Sequence, residues 1–452
     1  MKFQKMAALF LALLMVLLLS ACGSKGSEKT DPNTLYLFTY TLSDEAQEAA
    51  WSEVFADYEA ETGIKVEATY QGTWSETPEL LTAAKLAGTP IDIFINGVGL
   101  IQSPLGPGAM VKDLTTLVGD DIIGRYEEGV LDSCYMGDHL WCLPLADGGC
   151  WCIVYNKAIF NELGLEIPST FEELAHCADV INTELGITPM MINGKESWSW
   201  PGIYMSTYGE ATGGQSIENV EAFLSGEKTF NGEAEIQAFD WISDLFEAGI
   251  MKADSLDTDS TGLIAAFAQE KCAMLFTLDS YVTYCEAANP DLEVGVMPYP
   301  VMEGATDYYY GYGIGDGSLC IPSFIEDDRI AMAVDFIEFV TRPEEAEKIL
   351  TCDGPTKFKI FKDIDTDPSE FVAEMNEVVT PHAVTYLDWI WPAEINDAFC
   401  QGIPALVSGT ITSEQACGLV QDAYDTIVQE DNYIYQWWNN FTEEEAKLVY
   451  PG

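Results

Sequence analysis

Several tryptophans of this chain stand in turn-like surroundings: Trp74 between Gly72 and Pro78, Trp151 among glycines and cysteines, Trp198 and Trp200 ahead of Pro201, and Trp389 and Trp391 ahead of Pro392. An indole offers a flat apolar face, and a carboxylate or side-chain amide beside it offers hydrogen bonds. That pairing suits a polyhydroxylated ring such as a sugar, with hydroxyls at its edge and weakly apolar C–H groups on its faces. Taken singly, each tryptophan also reads as a packed core residue.

Other chemistries lack their residues. His139, His176 and His382 are the only histidines and stand far apart, without metal-ligand spacing. No Gly-x-Ser-x-Gly elbow occurs, and Gly226-Glu227-Lys228-Thr229 lacks the upstream glycine of a phosphate loop. Asp363, Asp365, Asp367 and Glu374 fall at positions 1, 3, 5 and 12 of a calcium loop, yet Pro368 stands where glycine must turn it. Neither metal nor cofactor is expected. A formal charge of −54 repels phosphates and excludes nucleic acid as a partner. A secreted glycoside hydrolase stays open, because it needs two carboxylates about 5 to 9 Å apart and spacing along the chain does not fix that distance among 74 acids.

Lys2 and Lys5 precede an unbroken apolar run from Met6 to Leu19, which closes on Leu19-Ser20-Ala21-Cys22. The run is shorter than the roughly 20 residues of a spanning helix and ends on small residues, so residues 1–21 read as a signal peptide. The tetrad resembles the lipobox of bacterial lipoproteins. That resemblance implies cleavage before Cys22, acylation of its thiol, and a lipid-anchored protein on the extracytoplasmic face of the cell membrane. Residues 22–33, rich in Gly, Ser, Lys and Asp, would form the tether. Of twelve cysteines, the eleven beyond Cys22 contain no CxxC. Buried, unpaired thiols on apolar faces are expected, as at Cys177 and Cys272.

The elements that would hold a site follow from periodicity. Residues 35–40 read as a strand; Ser43 then caps a helix on which Trp51, Val54, Phe55 and Tyr58 share a face, and Gly63 stops it. Ile64, Val66, Ala68 and Tyr70 alternate as a second strand, Thr77-Pro78 opens a helix that Gly88 ends, and residues 91–95 form a buried third strand. Strand-helix-strand-helix-strand predicts a parallel sheet with helices on its faces. Its ligands would lie at the carboxyl ends of the strands, around residues 39–43, 71–76 and 96–100. Farther on, Thr170 and Glu173 make a capping box for a helix burying Leu174, Cys177, Ala178 and Ile181. Residues 239–248, 263–269 and 330–340 read as further helices. The roughly 420 residues past the tether exceed what one core usually supports, so two lobes are expected.

The order of features along the chain resembles the family 1 extracellular solute-binding proteins of ABC importers, the group that includes maltose-binding protein. The residues that carry the resemblance begin with 51–66 (WSEVFADYEAETGIKV), 88–94 (GTPIDIF), Leu143-Pro144 and Tyr155-Asn156-Lys157. They continue with 160–173 (FNELGLEIPSTFEE), 267–274 (FAQEKCAM), 295–300 and 336–345 (FIEFVTRPEE). The resemblance implies a periplasmic-binding-protein-like α/β fold: two lobes with interrupted parallel sheets, joined by hinge crossovers near residues 145–150, near 295–297 and soon after Thr341. The N-terminal lobe would comprise residues 34–145 plus 296–341, and the C-terminal lobe residues 146–295 plus 342–452.

It also implies an oligosaccharide receptor, not an enzyme, that closes on its ligand and delivers it to the transmembrane permease of an ABC importer, acting as a monomer. Trp198-Ser199-Trp200-Pro201 resembles the aromatic-Pro segment that stacks sugar in the family, with Trp198 the preferred ring and Trp200 its neighbour. Tyr281 stands where the family carries a stacking tryptophan, though the preceding glycine is absent, and Trp391 matches a late aromatic contact. Trp74, Asn96, Asp147, Glu196 and Asp279 complete the expected contacts. Tyr310, in the tyrosine run 308–312, either lines the cleft or belongs to an ordinary strand. Peptide, polyamine or metal cargo is the alternative within the same family.

Overall fold

The computed structural model describes residues 30–40, 45–72, 76–96, 110–127, 130–131, 134–136, 139–214, 222–223, 226–314, 317–352, 359–365, 369–385, 391 and 393–429. The expected signal peptide (residues 1–21), Cys22, the Ser43 cap, Trp74, Trp389 and positions 367–368 of the calcium-like pattern lie outside them. No helix among the described residues is long and apolar enough to cross a membrane.

Strand β1 (Thr34–Thr39) is almost wholly buried, and its neighbours are β2 (Lys65–Tyr70) and β3 (Ile93–Asn96), both parallel to it. Helix α1 (Glu45–Thr62) returns the chain between β1 and β2, burying Trp51, Val54 and Tyr58, and it ends where Gly63 takes a left-handed φ of 75°. Helix α2 (Thr77–Ala87) returns it between β2 and β3. The expected alternation in β2 is present, with Val66, Ala68 and Tyr70 on the covered side. Past a small hairpin of β4 (Tyr135–Met136) and β5 (His139–Leu140), β6 (Leu143–Pro144) joins this sheet from farther along the chain.

The second sheet is built on β7 (Asp147–Asn156), a ten-residue strand. On one side it pairs with β9 (Cys272–Leu278), which is parallel to β8 (Thr188–Met191). On the other it pairs with β10 (Val294–Met297) along its second half and β11 (Tyr310–Ile314) along its first. After β11 the chain returns to the first sheet as β12 (Ser318–Cys320), between β3 and β6, and β13 (Ala383–Thr385) later lies beside β11. Helix α3 (Lys157–Leu163) follows β7. Helix α4 (Phe171–Leu185) carries the expected Thr170–Glu173 capping box and buries the four expected residues. Helix α5 (Trp200–Thr212) is buried on every side from Trp200 to Glu210, which marks it as the centre of its layer. Helix α6 (Glu233–Glu247) packs against it, while α7 (Ser260–Ala268) and α8 (Tyr281–Ala288) pack on each other and on β9.

Each sheet has its own buried hydrophobic cluster, one running from Leu35 to Ile364 and the other from Cys150 to Tyr424. This pattern moves two of the expected crossings. Residues 295–297 do not cross, because β10 hydrogen-bonds along β7 with Val294 and Val296 buried; the chain passes between sheets after Ile314 instead. Nor does it leave the first core after Thr341. Helices α9 (Ile330–Val340) and α10 (Pro343–Leu350) both pack there, as do Ile360, Phe361 and Ile364, and only α11 (Glu370–Val378) joins the second cluster through Met375. Helices α12 (Ala393–Val407) and α13 (Ser413–Gln429) complete that cluster. All eleven described cysteines stand outside any disulfide, nine of them buried. Burial pushes the Cys142, Cys272 and Cys285 thiols up, so they remain protonated.

Two buried ionisable side chains tie distant segments. Arg329, at the start of α9, grips Asp92 with Nε and a terminal nitrogen and donates to the carbonyls of Asp31 and Thr34. Asp92 in turn accepts from the Tyr36 amide at 2.7 Å. In α5, Glu210 accepts from the Met302 amide at 3.0 Å, while its other oxygen has no donor among the described residues. Burial pushes its pKa up to about 8, with Asp307 adding to the rise.

Arg329→Ala strands the Asp92 carboxylate in the core, so denaturant unfolding should show a loss of about 3–5 kcal/mol, partly recovered when Asp92→Leu is added. Glu210 makes a pH prediction. Unfolded, it titrates near 4.3, so the folded state holds the proton more tightly. Its stabilisation is complete below the unfolded value and is lost as pH rises to about 8. Melting curves of Glu210→Gln should therefore fall less than wild type between about pH 5 and 8; parallel curves would contradict the assignment.

Candidate functional site

In the first sheet β1, β2 and β3 end on one edge, at Thr39, Tyr70 and Asn96. β12 starts there and β6 ends there, since Ser318 faces both Asn96 and Pro144. In the second sheet β8 and β9 end on one edge. β7 starts on that edge, with Trp151 opposite Leu278, and β11 ends on it, with Ile314 opposite Asp147. The chain takes three residue steps from Pro144 to Asp147 and four from Ile314 to Ser318. At about 3.6 Å per step these spans reach at most about 11 and 14 Å. The two carboxyl edges therefore adjoin, and the connections touch: a Cβ on Gly317 would lie 3.4 Å from the Ala146 Cβ. Ligands of such sheets bind at these edges.

On the second edge one loop presents aromatic and polar groups together. After β8, Gly194 and Lys195 donate through their amides to the carbonyls of Ser255 and Thr258, and the Ser199 hydroxyl donates to the Asn193 and Glu196 carbonyls. Trp200 anchors this loop from beneath, fully buried, its Nε1 donating to the Gly194 carbonyl at 2.9 Å. Gly194 is required there, because a Cβ would sit 2.5 Å from the Trp200 ring. The single turn Ser197–Ser199 leaves Trp198 outside, 41% exposed. Beneath Trp198, 5.8 Å away between ring centroids, lies the indole of Trp151. Trp151 stacks on Phe276 at 5.4 Å and fills the space that a side chain at Gly202 would take, with 2.2 Å from the Gly202 Cβ position to its nearest ring atom; a Cβ on Gly311 would lie 3.3 Å from the same ring and 2.7 Å from the Met205 Sδ.

Beside these rings a hydrogen-bonded cluster joins the loop to α7 and α8. Glu196 accepts from the Ser260 amide at 3.0 Å with one oxygen, and from the Ser260 hydroxyl at 2.5 Å and the Asn193 amide nitrogen at 3.0 Å with the other. The Tyr281 hydroxyl lies 2.6 Å from the Ser260 hydroxyl. Burial raises the Tyr281 phenol above its usual range, so it keeps its proton. Tyr284, 53% exposed, meets Tyr281 edge-on at 6.3 Å.

Of the expected contacts, then, Trp198, Glu196 and Tyr281 come together on one edge, with Asp279 behind them. Asp279 is buried. Its carboxylate accepts from the Cys150 amide at 2.8 Å and its amide donates to the Cys150 carbonyl, so it clamps the start of β7 to the end of β9. Asn96 is buried on the opposite edge, in the pair with Ser318. Asp147 opens β7. Three rings belong to the core instead. Trp200 is turned under the loop. Tyr310 is fully buried, its hydroxyl donating to the Met297 carbonyl at 2.7 Å, which makes β11 the ordinary strand of the two readings. Trp391 stacks on Phe399 at 4.6 Å, among Tyr204 and Phe230. Sequence reasoning did not single out Asn193 or Ser260, whose residue types carry no signal, and it noted Trp151 without choosing it.

The chain is similar to known proteins over most of its length. The sequence profile of the family described as bacterial extracellular solute-binding protein matches residues 43–347. The melibiose/raffinose/stachyose-binding protein MelE of Bacillus subtilis is 21% identical over 351 residues, 75% of this chain and 78% of that one. The multiple sugar-binding protein of Streptococcus mutans is 23% identical over 204 residues, 45% of this chain and 47% of that one, so the match spans about half of that relative. Among solved structures, RafE in complex with raffinose superposes with a TM-score of 0.65 at 20% identity, covering 90% of this chain and 99% of that one. The shared fold is periplasmic-binding-protein-like, α/β with two mixed sheets. With the two short connections between the sheets inside the matched span, this chain belongs to the bacterial extracellular solute-binding proteins.

Proposed function

We propose that the protein is the extracytoplasmic saccharide receptor of an ABC importer. It captures ligand at the adjoining carboxyl edges and delivers it to the permease by closing two lobes, residues 34–144 plus 318–364 and residues 147–314 plus 371–429. The observation that carries this is the exposed Trp198 indole over Trp151, next to the Glu196–Ser260–Tyr281 cluster: a flat apolar face beside polar groups, as a sugar requires. The names of MelE and the multiple sugar-binding protein, and the raffinose in RafE, support the same cargo. The chain acts by binding, as its family does, and works as a monomer.

Export and anchoring complete the proposal. The apolar run before Cys22 directs secretion, cleavage frees Cys22, acylation of its thiol holds the protein at the membrane, and residues 22–33 let the body reach both solute and permease. Metabolic labelling with a palmitate analogue should mark the wild type and not Cys22→Ser.

The cargo is tested by calorimetry of the soluble chain, lacking residues 1–22, against raffinose, stachyose, melibiose, polyamines, peptides and calcium. A saccharide should bind near the micromolar range, about −8 kcal/mol, and return chemically unchanged. Binding confined to polyamine, peptide or metal would overturn the sugar reading, and released monosaccharide would make the protein a hydrolase. Trp198→Ala should weaken binding about tenfold or more at nearly unchanged stability, whereas Trp200→Ala should cost about 3–5 kcal/mol of stability.

A further inference from the structure

The cluster beside Trp198 has a fixed proton arrangement. A carboxylate has no proton to give, so across the 2.5 Å contact the Ser260 hydroxyl must donate to Glu196. With that proton committed, the Ser260 oxygen only accepts. It takes one bond from the Asn193 amide nitrogen at 3.2 Å and one from the Tyr281 hydroxyl at 2.6 Å. The Tyr281 proton is thereby committed too. What the cluster has left is acceptors: the lone pairs of the Tyr281 oxygen, and the Asn193 Oδ1, which is buried with no donor among the described residues. Swapping the Asn193 amide atoms would set oxygen against the Glu196 carboxylate, so its orientation follows from the same argument.

We infer that this subsite is acceptor-only and selects, through the Tyr281 oxygen, a ligand group that donates a hydrogen bond. A neutral hydroxyl or an amino group of a saccharide fits. A carboxylate, a phosphate or sulfate ester, or an ether oxygen at that position sets lone pair against lone pair and is refused. Ser260 and Glu196 are positioning residues: they touch no ligand and act by holding the Tyr281 proton away from it. The inference rests on the saccharide reading above and narrows it to neutral or amino sugars at this position.

The test uses raffinose and stachyose, each with single hydroxyls replaced in turn by fluorine, which does not donate, or by an amino group, which does. Titrations run at about 1 M salt, where the screening length of about 3 Å removes the overall acidity of the chain from the comparison. At one ring position fluorine should cost about tenfold or more in affinity, while the amino analogue binds as well as the parent. In Ser260→Ala the Tyr281 hydroxyl can turn its proton to the ligand, so the fluorine penalty at that position should shrink. Tyr281→Phe removes the acceptor and should abolish the contrast, which keeps the test decisive if Ser260→Ala melts early. Saccharide binding with no position of this kind, or a contrast that survives both substitutions, overturns the inference and leaves the receptor reading standing. If raffinose and stachyose do not bind, the same replacements are made on whichever saccharide the calorimetry identifies, and failure of every saccharide overturns the two together.

Discussion

Two short connections set what the rest of this molecule can be. Between Pro144 and Asp147, and between Ile314 and Ser318, the chain passes from one sheet to the other within two and three intervening residues. Both passages belong to antiparallel partners, β6 with β12 on one side and β7 with β11 on the other. Chain length alone then holds the two carboxyl edges side by side. A double connection of this kind resists twisting and sliding of one body on the other more than it resists bending across the pair, and bending is the motion that opens or narrows a cleft between them. Asp279 reinforces the arrangement from within the second body: by satisfying the Cys150 amide it fixes the strand start from which one connection leaves.

Within that frame Trp151 organises the second edge. Its ring is packed between Phe276 and the backbones at Gly202 and Gly311, where no side chain fits. An indole held so closely has little rotamer freedom left, so the exposed Trp198 lies over a rigid floor. Flat ligands gain most from rings that are already in place, because ordering a mobile ring would cost about 0.5–1.5 kcal/mol of the binding energy. The polar cluster follows the same logic. Glu196 reaches into the start of α7 and saturates itself on Ser260 and Asn193, so the Tyr281 ring is oriented before any ligand arrives.

Much of this architecture was legible along the chain and part of it was not, for reasons that differ. Periodicity located α1 and α4 with their buried faces, and the capping pair Thr170 and Glu173, because those signals are local. The crossing near residues 295–297 was misplaced because β10 pairs with a strand about 140 residues earlier, and nothing local states that a run of valines continues one sheet instead of leaving it. Trp198 and Trp200 are two residues apart at a turn entering a helix, so one must face away when the other faces in; identical side chains gave no means of choosing, and the family likeness supplied the choice. Trp391 was misread because a proline-flanked tryptophan looks like a loop residue, while Phe399 in the following helix draws it into the core. Ser260 carries the cluster and left no trace, since a serine becomes a hub only when α7, the loop after β8 and α8 meet.

A closing receptor needs contacts that exist only when it is shut. A ligand resting on Trp198 and Tyr281 alone touches one body, and such binding has equal strength in the open and closed forms; it shifts nothing, however tight it becomes. Closure must therefore be driven from the other edge, where β1 and β3 deliver Tyr40 and Asn96 and where Gln71 follows β2. Gln71 is exposed and Tyr40 partly so, while Asn96 is buried beside Ser318 at the connection itself. The division of labour that results is physical. On the proposed binding site, the second edge would recognise ligand through a rigid aromatic floor and the Tyr281 phenol, and the first edge would supply the differential free energy that turns recognition into movement.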